Sequence, residues 1–473
     1  MPATRPQDCF AGVYPTLSAR AIAAAVRSGE LTAEAVDAAC RVRLAAVNGD
    51  LQAVCQVFTP SIAAADTGPL AGVPILIKDL HTAIAGQICA NGCDFPAMPA
   101  TVSAEIVTRY LKAGARIVGR SHSCELGGGS SCESRHWGLA TRNPYAPHLS
   151  SGGSSGGGAA AVAAGIVPMA QASDAGGSIT IPAALCGLVG LKPTHGLVPF
   201  GPERTEGAAG FAAQNALTRD CEDAALALSV AADRPEFLSL SALDHPLRIG
   251  LVTRAADGGE TDPAILSRLE GTVDRLRALG HRVVPLTVPA IGAEVAAAEG
   301  ALRLASIAET VTGMERAAGQ PARADRFEAA TWARIIAGRR VTGAEVLDAR
   351  NVILEWREEF LRLFGPVDLT ISPALNVGAP AHGALSLGLP DEVTRPRNRN
   401  YTCFSRPWNL SGCPSLCLPL SRGPGDLPEG TLFGAAPGME AQLLRLGLQL
   451  QSAIGWRHDH LTSQDFSLKG GSA

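Results

Sequence analysis

Short apolar runs alternate with amphipathic stretches along most of this chain. LAGVPILIKDL (70–80) is apolar and rich in β-formers, which predicts a buried strand. EIVTRYLKAG (105–114) has helical spacing and a closing Gly114, and ARIVGR follows it as a second strand. Further on, GGAAAVAAG predicts a closely packed helix, IVPMAQA (166–172) a strand, and IPAALCG a short helix closed by Gly187. After residue 245, LRIGLVT and HRVVPLTV read as strands around the helix ILSRLEGTVDRLRALG. Long helices are expected at 292–318 and 342–364, with late strands at DLTISPA, SLCLPL and GTLFGAA. The first 60 residues read as helical, with Ser18 and Thr32 as caps. This alternation predicts an α/β fold: a large mixed, mostly parallel central sheet covered by helices on both faces. No 20–50-residue repeat and no long linker interrupts it, so a single domain over 1–473 is expected.

Charge narrows the choice of partners. The net charge is −4 with both signs dispersed, and no basic stripe runs along any segment, which argues against nucleic acid and anionic membranes. Aromatic content of 4% leaves few platforms for stacking bases. No apolar stretch reaches the roughly 18 residues a membrane helix needs. The N-terminal MPATRPQDCF lacks a secretory pattern, so a cytoplasmic location is expected. The twelve scattered cysteines then read as reduced thiols, mostly in the core. Cys89/Cys93 and Cys413/Cys417 miss the CxxC spacing of zinc sites, so no metal is expected. The ending SLKGGSA (within 462–473) reads as a disordered tail.

Residues 150–158, SSGGSSGGG, have three readings on their own. A linker is one, although an Ala-rich helix and a strand follow without a break. A phosphate loop is weaker, because no GK[ST] ends the stretch. The letters also satisfy GxSxG around Ser154 and around Ser155, but the preceding RNPYAPHL is not the strand a nucleophile elbow requires. A second stretch, ASDAGGSIT (172–180), begins at the end of a predicted strand and leads into a short helix. Its small residues can present several N–H groups in one concavity, a nest that would hold an oxyanion beside a nucleophilic Ser178. It reads equally as a tight turn whose glycines allow positive φ. Lys78, at the end of GVPILIKD, is a candidate base. Its amine is ordinarily protonated, with a pKa of about 10.4, and burial would favour the neutral form. A surface Lys78 beside Asp79 is the plainer reading.

Read together, the blocks GVPILIKD, SSCESRHWGLATRNPY, SSGGSSGGGAAAVAAG, QASDAGGSITIPAALCGLVGLKPTHG and PWNLSGCPSLCLP resemble the amidase signature family of serine hydrolases, over about residues 15–455. The resemblance implies the amidase-signature fold and a Ser–Ser–Lys triad. Ser178 matches the nucleophile, Ser154 the bridging serine after a cis peptide from Gly153, and Lys78 the base. The N–H groups of Ala175, Gly176, Gly177 and Ser178 match the oxyanion hole, and Ser173 and Asp174 match supporting positions. The implied chemistry is acyl transfer without metal or organic cofactor.

The chain departs from the family pattern in two places. Thr180 stands where GGSIR or GGSVR has Arg, which removes an Arg partner for Asp174 and leaves the rigidity of that loop open. QNALTRDCED also lacks the usual GP pair, in a form similar to the branch that includes nylon-oligomer amidases. The implied division is a helical N-terminal arm (1–65), a catalytic core (66–200), and variable pocket segments at about 201–213 and 292–345. The expected function is hydrolysis of C–N bonds in small-molecule amides. Carbamate (urethane), aryl-amide or ester hydrolysis is the alternative within the family. A glutaminase-type subunit of an amidotransferase complex is the alternative of another class. The expected partner is a small amide or carbamate, with homo-oligomerisation left open.

Overall fold

In the computed structural model, which describes residue 10 and residues 12–456, eleven strands hydrogen-bond into one sheet. In chain order they are β1 (Val54–Ile62), β2 (Pro74–Lys78), β3 (Arg116–Ser121), β4 (Met169–Asp174), β5 (Val189–Lys192), β6 (Ala213–Thr218), β7 (Arg248–Leu251), β8 (Arg282–Pro285), β9 (Leu369–Pro373), β10 (Ser415–Arg422) and β11 (Pro428–Gly434). Their order across the sheet is β1-β3-β2-β4-β6-β5-β10-β11-β9-β7-β8. All five residues of β2 are buried, as in a strand covered on both faces.

The sheet is mixed, as expected, but its balance is not mostly parallel. Four neighbouring pairs are parallel (β2–β3, β2–β4, β7–β8, β7–β9) and six are antiparallel. Strand β6 is one reason. It inserts between β4 and β5 and runs against both, so two antiparallel ladders replace one parallel contact. The β10–β11 hairpin is another, because its short connection needs no crossover helix.

Thirteen α-helices accompany the sheet among the described residues. The first eight are α1 (Ala19–Ser28), α2 (Ala33–Leu51), α3 (Glu105–Lys112), α4 (Gly156–Ala163), α5 (Thr180–Cys186), α6 (Cys221–Ala232), α7 (Pro263–Ala278) and α8 (Ala293–Ala318). The remaining five are α9 (Ala329–Gly338), α10 (Gly343–Leu361), α11 (Asp391–Thr402), α12 (Arg406–Ser411) and α13 (Glu440–Ile454). The expected caps form. Ser18 accepts from the Ala21 N–H and Thr32 from the Ala35 N–H, each satisfying an orphan donor of its first turn. The helical arm expected over 1–65 needs correction, because Val54–Ile62 is a strand on the sheet edge. Its β-branched and aromatic residues fit a pleated, half-buried surface, and Pro60 is tolerated there because an edge strand leaves N–H groups unpaired. The tail expected over 462–473 lies outside the described residues. Of the eleven cysteines described, all are free and nine are buried. No described helix is long and apolar enough to cross a membrane.

Candidate active site

Three segments meet at the C-terminal ends of two parallel neighbours, β2 and β4. Strand β2 ends on Lys78, β4 runs out through Ser173 and Asp174 into the loop 175–179, and Ser154 lies just before α4. The glycines around Ser154 allow this convergence. A Cβ on Gly153 would lie 2.4 Å from the Ser131 carbonyl oxygen, and one on Gly157 would lie 2.5 Å from the backbone of Ala53 and His122. Side chains are thus excluded by packed backbone, and α4 sits fully buried against the sheet. The stretch SSGGSSGGG is therefore a close-packing device in the core and not a linker. The Gly153–Ser154 peptide is cis.

Lys78 is fully buried. Its Nζ donates to Ser154 Oγ at 2.8 Å, to Ser173 Oγ at 3.2 Å and to the Ser173 carbonyl at 3.3 Å. Its backbone N–H is held by Gln171 Oε1 at 3.1 Å. Burial pulls the Lys78 pKa from 10.5 down to about 8, against the opposing pull of the Asp174 carboxylate. Asp79 does not neutralise it. The Asp79 carboxylate instead accepts from the Ala90 and Gly92 N–H groups and from Trp137 Nε1, at 2.8, 3.2 and 3.0 Å.

Asp174 organises the second Gly/Ser stretch. Oδ1 accepts from the Gly177 N–H at 2.6 Å and from Asn409 Nδ2 at 2.9 Å, while Oδ2 accepts from the N–H groups of Ile179 (2.7 Å) and Thr180 (3.2 Å). The loop that lacks the usual Arg is therefore tied by other means. Asn409 also donates to the Asp174 and Phe211 carbonyls, Arg303 Nη2 to the Ala175 carbonyl at 2.6 Å, and Ser405 Oγ to the Gly176 carbonyl at 2.8 Å. Gly177 has φ +122°, and a Cβ there would sit 2.3 Å from Ser405 Oγ.

Ser154, Ser173 and Ser178 line one cavity of about 360 Å³. Ser178 makes no hydrogen bond to Ser154 among the described residues, so the second step of the expected relay is a shared cavity and not a formed bond. Catalytic hydrogen bonds in unliganded sites are often open in this way. Of the four expected oxyanion donors, Gly177 has its N–H committed to Asp174. The N–H groups of Ala175, Gly176 and Ser178 meet no protein acceptor among the described residues. Leu80, Leu126, Ile181, Phe200, Leu304 and Ile307 supply the apolar wall. Both segments expected to be variable reach it, through Arg204, Gly207 and Ala208 and through one side of α8. Among the described residues, no three His, Cys, Asp or Glu side chains gather as a metal site.

Some contributors were invisible in local sequence. Asn409 lies inside PWNLSGCPSLCLP, where only the block as a whole carried a signal. Arg303, from an Ala-rich helix 128 positions beyond Ala175, had no signal at all.

Comparison with known proteins gives the following. The family model described as amidase matches residues 33–444. The chain is 31% identical over 468 residues to a 6-aminohexanoate-cyclic-dimer hydrolase of Paenarthrobacter ureafaciens, covering 93% of this chain and 95% of that one. It is 31% identical over 469 residues to the protein of the same name from Pseudomonas sp. (strain NK87), with the same coverage. Its structure matches that of a 6-aminohexanoate cyclic dimer hydrolase complexed with substrate at TM-score 0.87 and 30% identity, over 93% of this chain and 97% of the other. A bacterial aryl acylamidase matches at TM-score 0.82 and 23% identity, over 95% and 98% of the two chains, which shows the shared fold alone.

Proposed function

This chain belongs to the amidase signature family, and we infer from that premise that it hydrolyses C–N bonds of small-molecule amides through an acyl-enzyme. The observation that carries the mechanism is the 2.8 Å contact between Lys78 Nζ and Ser154 Oγ in a cluster without water access to the amine. A lysine with a pKa of about 8 is neutral in about one molecule in ten at pH 7, against fewer than about one in a thousand for an ordinary lysine, and it is this neutral fraction that acts as the base.

The neutral Lys78 amine takes the Ser154 hydroxyl proton as Ser154 takes the proton of Ser178. Ser178 Oγ then attacks the amide carbon, and the carbonyl π pair moves onto oxygen. The N–H groups of Ala175, Gly176 and Ser178 receive that oxyanion, and the Asp174 carboxylate fixes the loop that presents them. As the tetrahedral intermediate collapses, the proton held on Lys78 returns through Ser154 to the leaving nitrogen and the C–N bond breaks. Water attacks the resulting ester by the same relay and releases the acid and free Ser178. Ser173 holds the lysine in place through its hydroxyl and carbonyl oxygens.

The apolar wall suits an acyl or aryl body, and aryl amides, carbamates and esters remain within reach of the same chemistry. Turnover by the purified chain alone, without partner or nucleotide, separates this reading from a glutaminase subunit. The decisive test is Ser178→Ala. It abolishes turnover and covalent labelling by a serine-directed fluorophosphonate, whereas labelling at the wild-type rate would remove Ser178 as the nucleophile.

A further inference from the structure

The cavity beyond the serines is positively charged. Glu299 of α8 is its only acidic lining residue among those described, and it is shared. Arg303 Nε donates to its Oε1 at 2.7 Å, and Arg406 occupies Oε2. Asp391, at the start of α11, is shared in the same way by Arg334, at 2.7 Å, and by Arg395. All four of these arginines line the cavity. Two carboxylates thus serve four guanidinium groups, and each cluster keeps a net positive charge.

Two further arginines, Arg204 and Arg399, line the cavity without an acid partner among the described residues. Arg204 reaches only Thr310 Oγ1, at 3.4 Å. Arg395, Arg399 and Arg406 also line a second cavity, of about 650 Å³, in which Asp257 is the only acidic lining residue among those described. The three arginines therefore stand at the junction of the two spaces. A proton relay through Lys78 and Ser154 has no use for this charge, and folding gains nothing from cations crowded at a cavity wall.

We propose that the site takes amides whose far end carries a carboxylate, and that the corner formed by Arg395, Arg399 and Arg406 receives it. The inference rests on the amide-hydrolase reading and names its substrate class. A carboxylate presents two oxygens in one plane, the arrangement a guanidinium fork binds with paired hydrogen bonds. The apolar residues Leu304 and Ile307, on the same helix as Arg303, would hold a short aliphatic spacer between that anion and the scissile amide.

A matched pair of anilides tests the idea. Adipic acid mono-p-nitroanilide ends in a carboxylate, and 6-oxoheptanoyl p-nitroanilide replaces it with a neutral methyl ketone of similar size. The wild-type chain is expected to favour the acid at least about tenfold in kcat/KM, and salt is expected to erode that preference. In the double variant Arg395→Gln, Arg399→Gln the ratio of the two rates falls to near one. Equal rates in the wild type, or a faster ketone, would overturn the carboxylate subsite and leave amide hydrolysis standing. If neither anilide turns over, aryl amides are not its substrates, and calorimetry of adipate with the Ser178→Ala protein decides the subsite. Binding that the arginine substitutions abolish supports it, and absence of binding refutes it.

Discussion

Strands β2 and β5 each end on a lysine that water does not reach. Lys78 and Lys192 both close apolar runs, GVPILIK and GLVGLK, and burial brings the pKa of each from 10.5 to about 8. The Asp174 carboxylate acts on both in the opposite direction. Their neighbours differ. Lys78 Nζ meets two hydroxyls, those of Ser154 and Ser173, and both serines line the cavity. Lys192 Nζ donates to the Pro193 carbonyl at 2.9 Å, an acceptor that has no proton to pass on. Burial alone therefore makes a lysine able to lose its proton. A hydroxyl chain leading to a cavity gives that property a use.

The largest effect expected from this contrast is on turnover. Lys78→Ala should lower kcat/KM by about 10³-fold, within the range a positioned general base contributes. Lys192→Met should cost less than about tenfold, because that lysine touches neither serine nor cavity. Steady-state kinetics of both variants check the comparison, and equal losses would break it by making Lys192 part of the machinery.

The pH profile sharpens the same point with a smaller effect. In the proposed mechanism the active form of Lys78 is the neutral amine, so its lowered pKa extends activity downward in pH. Below about pH 8, kcat/KM should fall close to tenfold per unit, and above it should level off. Lys192 titrates in the same range, so the wild-type profile cannot tell the two apart. Lys192→Met can: the inflection should stay near 8. An inflection that disappears with Lys192 would transfer the base assignment to it.

The sequence could not have separated these two lysines by local pattern, since each ends a buried apolar run. What singled out Lys78 was its order before two Gly/Ser stretches, a relation between segments. The central strands were legible because burial on both faces writes a continuous apolar run, as in PILIK. Strand β1 was not, because an edge strand alternates and carries Pro60, and its neighbourhood is otherwise helical. Strand β6 was hidden in QNALT, whose polar letters serve the site's scaffold: Gln214 Oε1 accepts from Gln171, whose own Oε1 holds the Lys78 backbone. The supports of Asp174 show the wider limit. A missing Arg at position 180 reads locally as a loss, yet Asn409, 235 positions beyond Asp174, supplies the contact. Long-range replacements of that kind leave no periodic trace.

The smallest expected effect concerns stability, and it turns on the sign of the pKa shift. Below about pH 8 both the folded and the unfolded chain hold the Lys192 proton, so the full cost of burying the cation is present. Between about 8 and 10.5 the folded chain has released the proton and the unfolded chain has not, so stability rises with pH. Above that window both forms are neutral and the cost is gone. A shift of this size corresponds to about 3 kcal/mol. Lys192→Met removes it and gives up the bond to Pro193, worth about 1 kcal/mol, for a net gain of about 2 kcal/mol at pH 7. Thermal unfolding should show the variant melting about 2–4 °C higher at pH 7, with the two curves crossing between about pH 9 and 10.5 and the wild type about 1 kcal/mol ahead above that window, where only the lost bond to Pro193 remains. The same substitution at Lys78 gives up three hydrogen bonds in place of one, so its net effect on stability should be near zero. A lower melting temperature for Lys192→Met at pH 7 would mean that attraction to Asp174 outweighs burial, and Lys192 would become a counter-ion that helps hold the nucleophile loop.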